Sequence, residues 1–595
     1  MKRVKVFWNA IPEEFIGEKN NFNITDFLEK NDAKIKSDFK KYISSISDKP
    51  LNGISIEDRY RIPSGFSFWW MSTVVEKSFY KSKEITDSLK LIALQLLIKE
   101  IEPEELEIHQ VDKNNIRKVI IDLSQISSLK KITFEGKIQY SFKLHFLQNT
   151  LAILKGFTFI FFRFFSRKIF INGEKNLKNN DKNLLFLSYF AHLKNDSKFH
   201  SFQWEYVPKI FDEEGYSIHW IHHYVPSSNY PNPESAIASI NQFNDSSDDI
   251  HEFLDSYMSK KILLKTLFTF SKIVFKNFSF KSPAKIFRFD NSKANYWSLF
   301  SPSWYESTSG IFLAQNIIWY FLFDNMLGGI KKQSKGLFLY EGQGWERAFI
   351  FLWHFHEHEK LIGVYHSSFR FWDMRITNFP EINTLRKSNK STTLFLALNS
   401  QMVIDELLSE GISIPIFEVE AQRYNYVLDR KKNTNSNTKK IKRITIFTCL
   451  KDESDFLMKD FEKIPKDILK NYEVYVKTHP LYQFEEVDFP SLKFKIDNAE
   501  LIKVIQKTDI AFSVLSTSAS LDTYLMNVPT YVYIRSGEIN FSPMKNNLEN
   551  NFIYSLRDII KVLNKDNHYS YHGTQFFFLD KDLSRWRKLM KFIND

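Results

Sequence analysis

Two stretches of this 595-residue chain put groups that can move protons or hold anions directly behind apolar runs. The first is Tyr340-Glu341-Gly342-Gln343-Gly344-Trp345-Glu346-Arg347, which follows the run from Gly336 to Tyr340. Its glycines let the chain turn sharply, and Glu341 is left at the mouth as a carboxylate able to act as general base; it could equally cap the helix behind it. Tyr365-His366-Ser367-Ser368 repeats the arrangement, so His366 is a second candidate for proton transfer. Arg370 and Arg375 follow as anion clamps or as solvated surface. In the second stretch, Glu473 to Lys477 runs into Thr478-His479-Pro480, where Pro480 restricts the turn that presents His479 to a phosphate. Asp509 to Val514 then leads into Ser516-Thr517-Ser518-Ala519-Ser520, hydroxyls beside free amides at a helix N-terminus. Together, His479 with Ser516, Thr517 and Ser518 describe a nucleotide-phosphate pocket. His354, His356 and His358 place imidazoles at i and i+4, but the string does not match H-E-x-x-H, and a solvated helix end accounts for it better than a metal.

These residues need sheets to carry them. Leu184 to Tyr189, Ser217 to Ile221, Gly336 to Tyr340, Leu361 to Tyr365 and Leu394 to Leu398 read as strands, several of them near-continuously apolar, as parallel strands covered on both faces are. Helices are expected between them, among them Gly344 to Phe355 and Ser400 to Glu410. A second α/β series follows, with strands at Arg443 to Thr448, Tyr472 to Lys477, Asp509 to Val514 and Thr530 to Ile534. In open parallel sheets the ligand end is the carboxyl end of the strands, where Glu341, His366, His479 and the run from Ser516 to Ser518 fall.

Length and composition bound the rest. About three or four domains fit in 595 residues, and 43% hydrophobic with 25% charged residues excludes collagen-like and wholly disordered chains. The sequence divides into an N-terminal accessory region (1–135), a basic-aromatic connector (136–178), a first lobe (179–427) with a basic-aromatic insertion (257–290), a polar linker (428–440) and a second lobe (441–595). The connector and the insertion interleave Phe with Lys and Arg, as an interfacial membrane element does; core helices with snorkelling lysines give the same pattern. The most apolar stretch, Leu151 to Phe165, is interrupted by Lys155 and Arg163 and falls short of what a bilayer-spanning helix needs. One cysteine, Cys449, excludes an intrachain disulfide framework and fits a reducing compartment. The first residues open like a buried strand without a secretory signal, so the expected location is cytoplasmic, with peripheral attachment to the inner membrane face. The excess of 81 basic over 70 acidic residues points to anionic partners. It does not point to nucleic acid, because the cations cluster with Phe and aliphatic residues and no nucleic-acid module is present.

A set of motifs in order resembles one family. These are Gly65-Phe66-Ser67-Phe68-Trp69-Trp70-Met71-Ser72, Phe186-Leu187-Ser188-Tyr189-Phe190, Gly215-Tyr216-Ser217-Ile218-His219-Trp220, Tyr340 to Glu346, His366-Ser367-Ser368 with Phe371 to Arg375, and Val419-Glu420-Ala421-Gln422-Arg423-Tyr424. From about residue 60 to 530 the chain resembles the bacterial surface carbohydrate biosynthesis family of nonulosonate and O-antigen gene sets. More distantly, His479-Pro480 and Ser516-Thr517-Ser518 are similar to the nucleotide motifs of GT-B sialyltransferases and Kdo transferases. That resemblance implies an α/β fold of two Rossmann-like lobes, with CMP held by His479, Pro480, Ser516, Thr517 and Ser518, and Glu341 as base. Some of those families carry an acidic pair before glycine, whereas here Glu341 follows Tyr340.

The expectation is therefore a GT-B glycosyltransferase of surface polysaccharide or capsule synthesis. It would use a sugar nucleotide, in the finest form a CMP-nonulosonate, as substrate, with no cofactor and no metal, and a glycan or polyprenyl-linked acceptor. Glu341 or His366 would deprotonate that acceptor. A UDP-sugar transferase, a UDP-sugar 2-epimerase and a non-catalytic membrane-associated scaffold are the alternatives.

Overall fold

The structure, a computed structural model, describes residues 3–594 apart from 125–128, 138–144, 173–182, 192, 194–198, 228, 279–282, 290–293, 378, 388–392, 430–440, 480–481, 546–550 and 566–575. Among the described residues it has three sheets of four or more strands, in which every ladder is parallel, and one two-stranded antiparallel sheet, Pro50–Leu51 with Ile54–Ser55. The first runs Asn21–Asn23, Arg3–Phe7, Glu105–His109, Lys131–Glu135. The second has seven strands in the order Ile416–Glu418, Leu394–Leu398, Lys360–Tyr365, Lys335–Leu339, Asn183–Phe190, Ser217–Tyr224, Ile250–Phe253. The third has six: Lys495–Ile496, Tyr472–Lys477, Lys442–Phe447, Ile510–Val514, Thr530–Tyr533, Phe552–Ile553. This is the expected α/β architecture of two lobes of GT-B type with an additional N-terminal unit, and the N-terminal unit is itself α/β.

The central strands are apolar because both faces are covered. Lys335–Leu339 and Ile510–Val514 are buried at every position. Helix Gly344–Phe355 covers one face of the seven-stranded sheet, with Phe349 against Phe338 at 5.6 Å between ring centroids. Helix Ile311–Gly329 is mostly apolar and mostly buried, and it packs beneath that layer. Helices His145–Ser166 and Lys260–Phe278, which carry the two basic-aromatic segments, both pack on it. Each has a buried face, Ile160 and Phe164 on one and Phe270, Ile273 and Val274 on the other. Among the described residues no helix is long and apolar enough to cross a membrane.

Two features tie the units together. The last helix, Ser584–Asn594, does not stay with the second lobe. It buries Trp586, Leu589, Met590 and Ile593, one stripe at helical spacing, against the seven-stranded sheet. Buried Glu420 accepts the N–H groups of Arg585 (2.9 Å) and Trp586 (3.1 Å) at the start of this helix. The N-terminal unit grips both lobes. Lys36 and Lys40 pair with Glu406 of the first lobe at 2.7 and 3.0 Å. On the second lobe, Lys545, only 7% exposed, pairs with Glu29 and Asp32 at 2.5 and 2.7 Å.

Candidate active site

Glu341 and His366 leave neighbouring parallel strands, Lys335–Leu339 and Lys360–Tyr365, at the same edge of the sheet. Strands lie about 4.8 Å apart, so side chains from adjacent carboxyl ends meet. His366 Nε2 stands 3.0 Å from Glu341 Oε1, and Gln343 Nε2 donates to Glu341 Oε2 at 2.6 Å. Between strand and helix, Gly342 has φ 71°, and a Cβ there would come within 2.5 Å of the Arg375 carbonyl group. Only glycine fits that approach. The turn is fastened by Glu346, which accepts from the N–H groups of Glu341 (3.0 Å) and Gly342 (2.9 Å). Of the two readings of Glu341, the helix cap is therefore set aside: Glu346 takes the backbone donors and Glu341 faces His366.

Electrostatics separates the two carboxyls. Burial resists charge on Glu341, but the hydrogen bond and charge of His366, then Arg375 and Gln343, hold its carboxyl down at about 2. Burial and then the Glu341 charge push Glu346 well above the usual carboxylate range. Burial, followed by both carboxylates, likewise raises the Tyr189 phenol, whose oxygen accepts from Trp345 Nε1 at 3.0 Å. The other ring nitrogen of His366, Nδ1, is buried without a partner among the described residues. A neutral imidazole whose Nε2–H points at a carboxylate carries its lone pair on Nδ1, and that is the geometry of an oriented general base.

Glu341 and His366 open into a cavity of about 1260 Å³ between the lobes. Its far wall comes from the second lobe at Glu500, Leu501, Ile502 and Asp522, and its floor from the crossover segment Gln422–Asp429. Arg423 projects into this space. It stands over the Tyr424 ring at 5.7 Å and has no hydrogen bond or ion pair among the described residues. Of the other cations on the wall, Arg587 pairs with Glu213 at 3.0 Å and Lys581 with Asp429, while Lys209, exposed at the first-lobe side, has no ion pair among the described residues. Carboxylates outnumber cations on the lining, which suits a ligand rich in hydroxyl groups, since carboxylates accept from them. A negative group would be met by Arg423 on the floor or by Lys209 on the first-lobe wall.

The remaining sequence candidates fall elsewhere. Tyr472–Lys477 and Ile510–Val514 flank Lys442–Phe447 on opposite sides, so His479 and the hydroxyl run start from strand ends about 10 Å apart. His479 is half-buried, which lowers its imidazole, and Pro480 lies outside the described residues. Ser516 donates its N–H to Glu453 Oε2 at 3.0 Å, and the Thr517 hydroxyl accepts from the N–H of Ala519 at 3.2 Å. Helix Ala519–Leu525 begins behind Ser518 without a side-chain cap. None of His479, Ser516, Thr517 and Ser518 lies on the wall of the large cavity; Asp522, one turn beyond Ser518, does. Arg370 donates to the carbonyls of Phe541 (2.6 Å) and Ser516 (3.4 Å) and so joins the lobes, while Arg375 forks onto Asp373 at 2.8 and 2.6 Å. The solvated helix end expected at His354 and His358 is corrected: both are buried. His354 accepts the N–H of Thr393 and His358 that of Gln333, each at 3.0 Å.

The sequence alone assigns no role to Glu346, Arg423, Glu500 or Asp522. Glu346 has a signal, a second carboxylate in the first turn after the glycines. Arg423 lies within a quoted motif but gains meaning only from the cavity it enters. Asp522 has no signal beyond its place one turn after the hydroxyls.

No known family matches this chain, and no curated protein does. Among solved structures, the UDP-GlcNAc 2-epimerase of Methanocaldococcus jannaschii, in complex with UDP-GlcNAc and UDP, is 13% identical, with 69% of this chain and 99% of that one covered and a TM-score of 0.36. The Rickettsia bellii UDP-N-acetylglucosamine 2-epimerase gives 12%, 69%, 96% and 0.37 on the same measures. The wall teichoic acid polymerase TagF gives 12%, 76%, 93% and 0.30. At such scores these likenesses decide nothing about activity.

Proposed function

We propose that this chain is a glycosyltransferase of bacterial surface polysaccharide synthesis that moves a sugar from a sugar nucleotide to a glycan or polyprenyl-linked acceptor. The observation that carries the reading is the Glu341–His366 pair opening into the cavity between two α/β lobes. In this reading His366, held by Glu341 through Nε2, takes the proton of an acceptor hydroxyl at Nδ1, and Glu341 stabilises the imidazolium that results. The acceptor oxygen attacks the anomeric carbon as its bond to the phosphate oxygen breaks, and Arg423 meets the charge released on that phosphate. Glu500 and Asp522 accept from sugar hydroxyls. The rest of the nucleotide is assigned to the strand ends bearing His479, Ser516, Thr517 and Ser518, one helical turn from Asp522. In its finest form the donor is a CMP-nonulosonate.

The test is release of free nucleotide from CMP-sugars and UDP-sugars by the purified protein, beside His366→Ala, Arg423→Ala and His479→Ala. Loss of turnover in His366→Ala by about 10²–10⁴-fold is expected. Equal turnover by His366→Ala would remove the proposed base, and equal turnover by His479→Ala would remove the proposed nucleotide end. Interconversion of a UDP-sugar without any acceptor would replace transfer by epimerisation.

A further inference from the structure

Helices His145–Ser166 and Lys260–Phe278 turn the usual amphipathic arrangement outward. Their exposed residues recur at helical spacing, and the exposed stripe is itself apolar. On the first helix it consists of Leu147, Leu151, Leu154, Phe161, Phe162 and Phe165 with Lys155. On the second it holds Leu264, Phe268 and Phe275 with Lys260, Lys261, Lys265 and Lys272. Phe162, Phe268 and Phe275 are 68%, 71% and 79% exposed, values that no core or snorkelling arrangement produces. The helices are neighbours: Phe157 and Phe270 meet at 4.9 Å between centroids, and Gly156 lets the Phe270 ring lie against the backbone. Since both rest on Ile311–Gly329, their opposite faces point outward together. At 1.5 Å per residue the first stripe runs roughly 27 Å and the second roughly 17 Å.

We infer that this pair of helices is a docking surface for a bilayer rich in anionic lipid. Neither helix carries an aspartate or glutamate. Phenylalanine and leucine set among lysines are what the boundary between acyl chains and anionic headgroups accepts. A second copy of this chain is the poorer occupant: a twofold contact would set lysines against lysines, and interface cores are depleted of lysine. The inference stands on the two helices alone and does not depend on the proposed transfer reaction.

The experiment is co-sedimentation of the full chain with vesicles of phosphatidylcholine alone and of phosphatidylcholine mixed with phosphatidylglycerol. Binding to the mixed vesicles, weakened by salt, is expected. Phe162→Glu with Phe268→Glu lowers it at least tenfold. The triple change Lys155→Gln, Lys261→Gln, Lys272→Gln lowers it roughly fivefold per lysine on mixed vesicles only. All five positions are exposed, so melting curves stay those of the parent; should the glutamate variant misfold, the glutamine variant still decides. The inference fails if the parent does not sediment with mixed vesicles, if it binds both vesicle types equally, or if both variants bind like the parent. It fails equally if the parent is a dimer that the glutamate changes dissociate without any vesicle binding.

Discussion

Glu341→Gln isolates the charge at the centre of the site, because glutamine keeps the shape and an oxygen for His366. In the folded chain the Glu341 carboxyl titrates at about 2 instead of 4.5, since His366, Arg375 and Gln343 outweigh its burial. That difference corresponds to on the order of 3 kcal/mol of stability when the group is ionised. The sign follows from a depressed folded value: the contribution is fully present above pH 4.5 and is lost as pH falls toward 2, with less than half left at pH 3. The variant, which resembles the protonated side chain, should melt several degrees lower at pH 7, given roughly 2–4 °C per kcal/mol for a lobe of this size. At pH 3 most of the gap should close, because less than half of the Glu341 contribution is then left and Glu346, whose carboxyl burial raises, is protonated in both proteins. Differential scanning calorimetry at the two pH values reads this directly. His366→Ala should already remove most of the effect, so the double variant loses less than the two single losses combined. A gap equal at pH 7 and pH 3, or none at pH 7, would refute the proposed electrostatic coupling.

Other outcomes follow from single contacts. Arg423→Ala should weaken nucleotide binding by at least about tenfold, the scale of a charged hydrogen bond, with an unchanged melting temperature, as calorimetric titration and thermal melts will show. Gly342→Ala forces a side chain into the Arg375 backbone at positive φ and should cost about 2 kcal/mol or more while abolishing turnover, measured by denaturation and nucleotide release. Lys545→Ala leaves Glu29 and Asp32 without their cation. Allowing for water at those carboxylates, it should cost about 2 kcal/mol and make the N-terminal unit a target in limited proteolysis.

Much of the two-lobe fold is legible in the sequence because its strands are doubly covered. Leu394–Leu398 and Tyr472–Lys477 have the same bounds in sequence and structure, and helix Gly344–Phe355 does too. What escapes are strands whose composition is mixed, such as Glu105–His109 and Ile250–Phe253, where charged residues interrupt the pattern that identifies the others. Glu341 and His366 can be singled out as strand-end groups. That they touch depends on strand order, a long-range property that no local pattern encodes. Arg370 shows the converse: an arginine beside a candidate site reads as an anion clamp, yet its guanidinium is committed to carbonyls of the other lobe. The destination of the last helix is hidden for the same reason, since an amphipathic stripe states that a face is buried but not against which sheet.

The N-terminal unit has a mechanical consequence. Two bodies joined by a crossover segment and a returning helix could swing like a book, and a ligand would then have to select or impose the closed posture. Here a third body is bolted to both covers through Lys36 and Lys40 on one side and Lys545 on the other. The disorder of an open book is surrendered while the chain folds, not when a molecule arrives, so binding loses less entropy and the gape is already set.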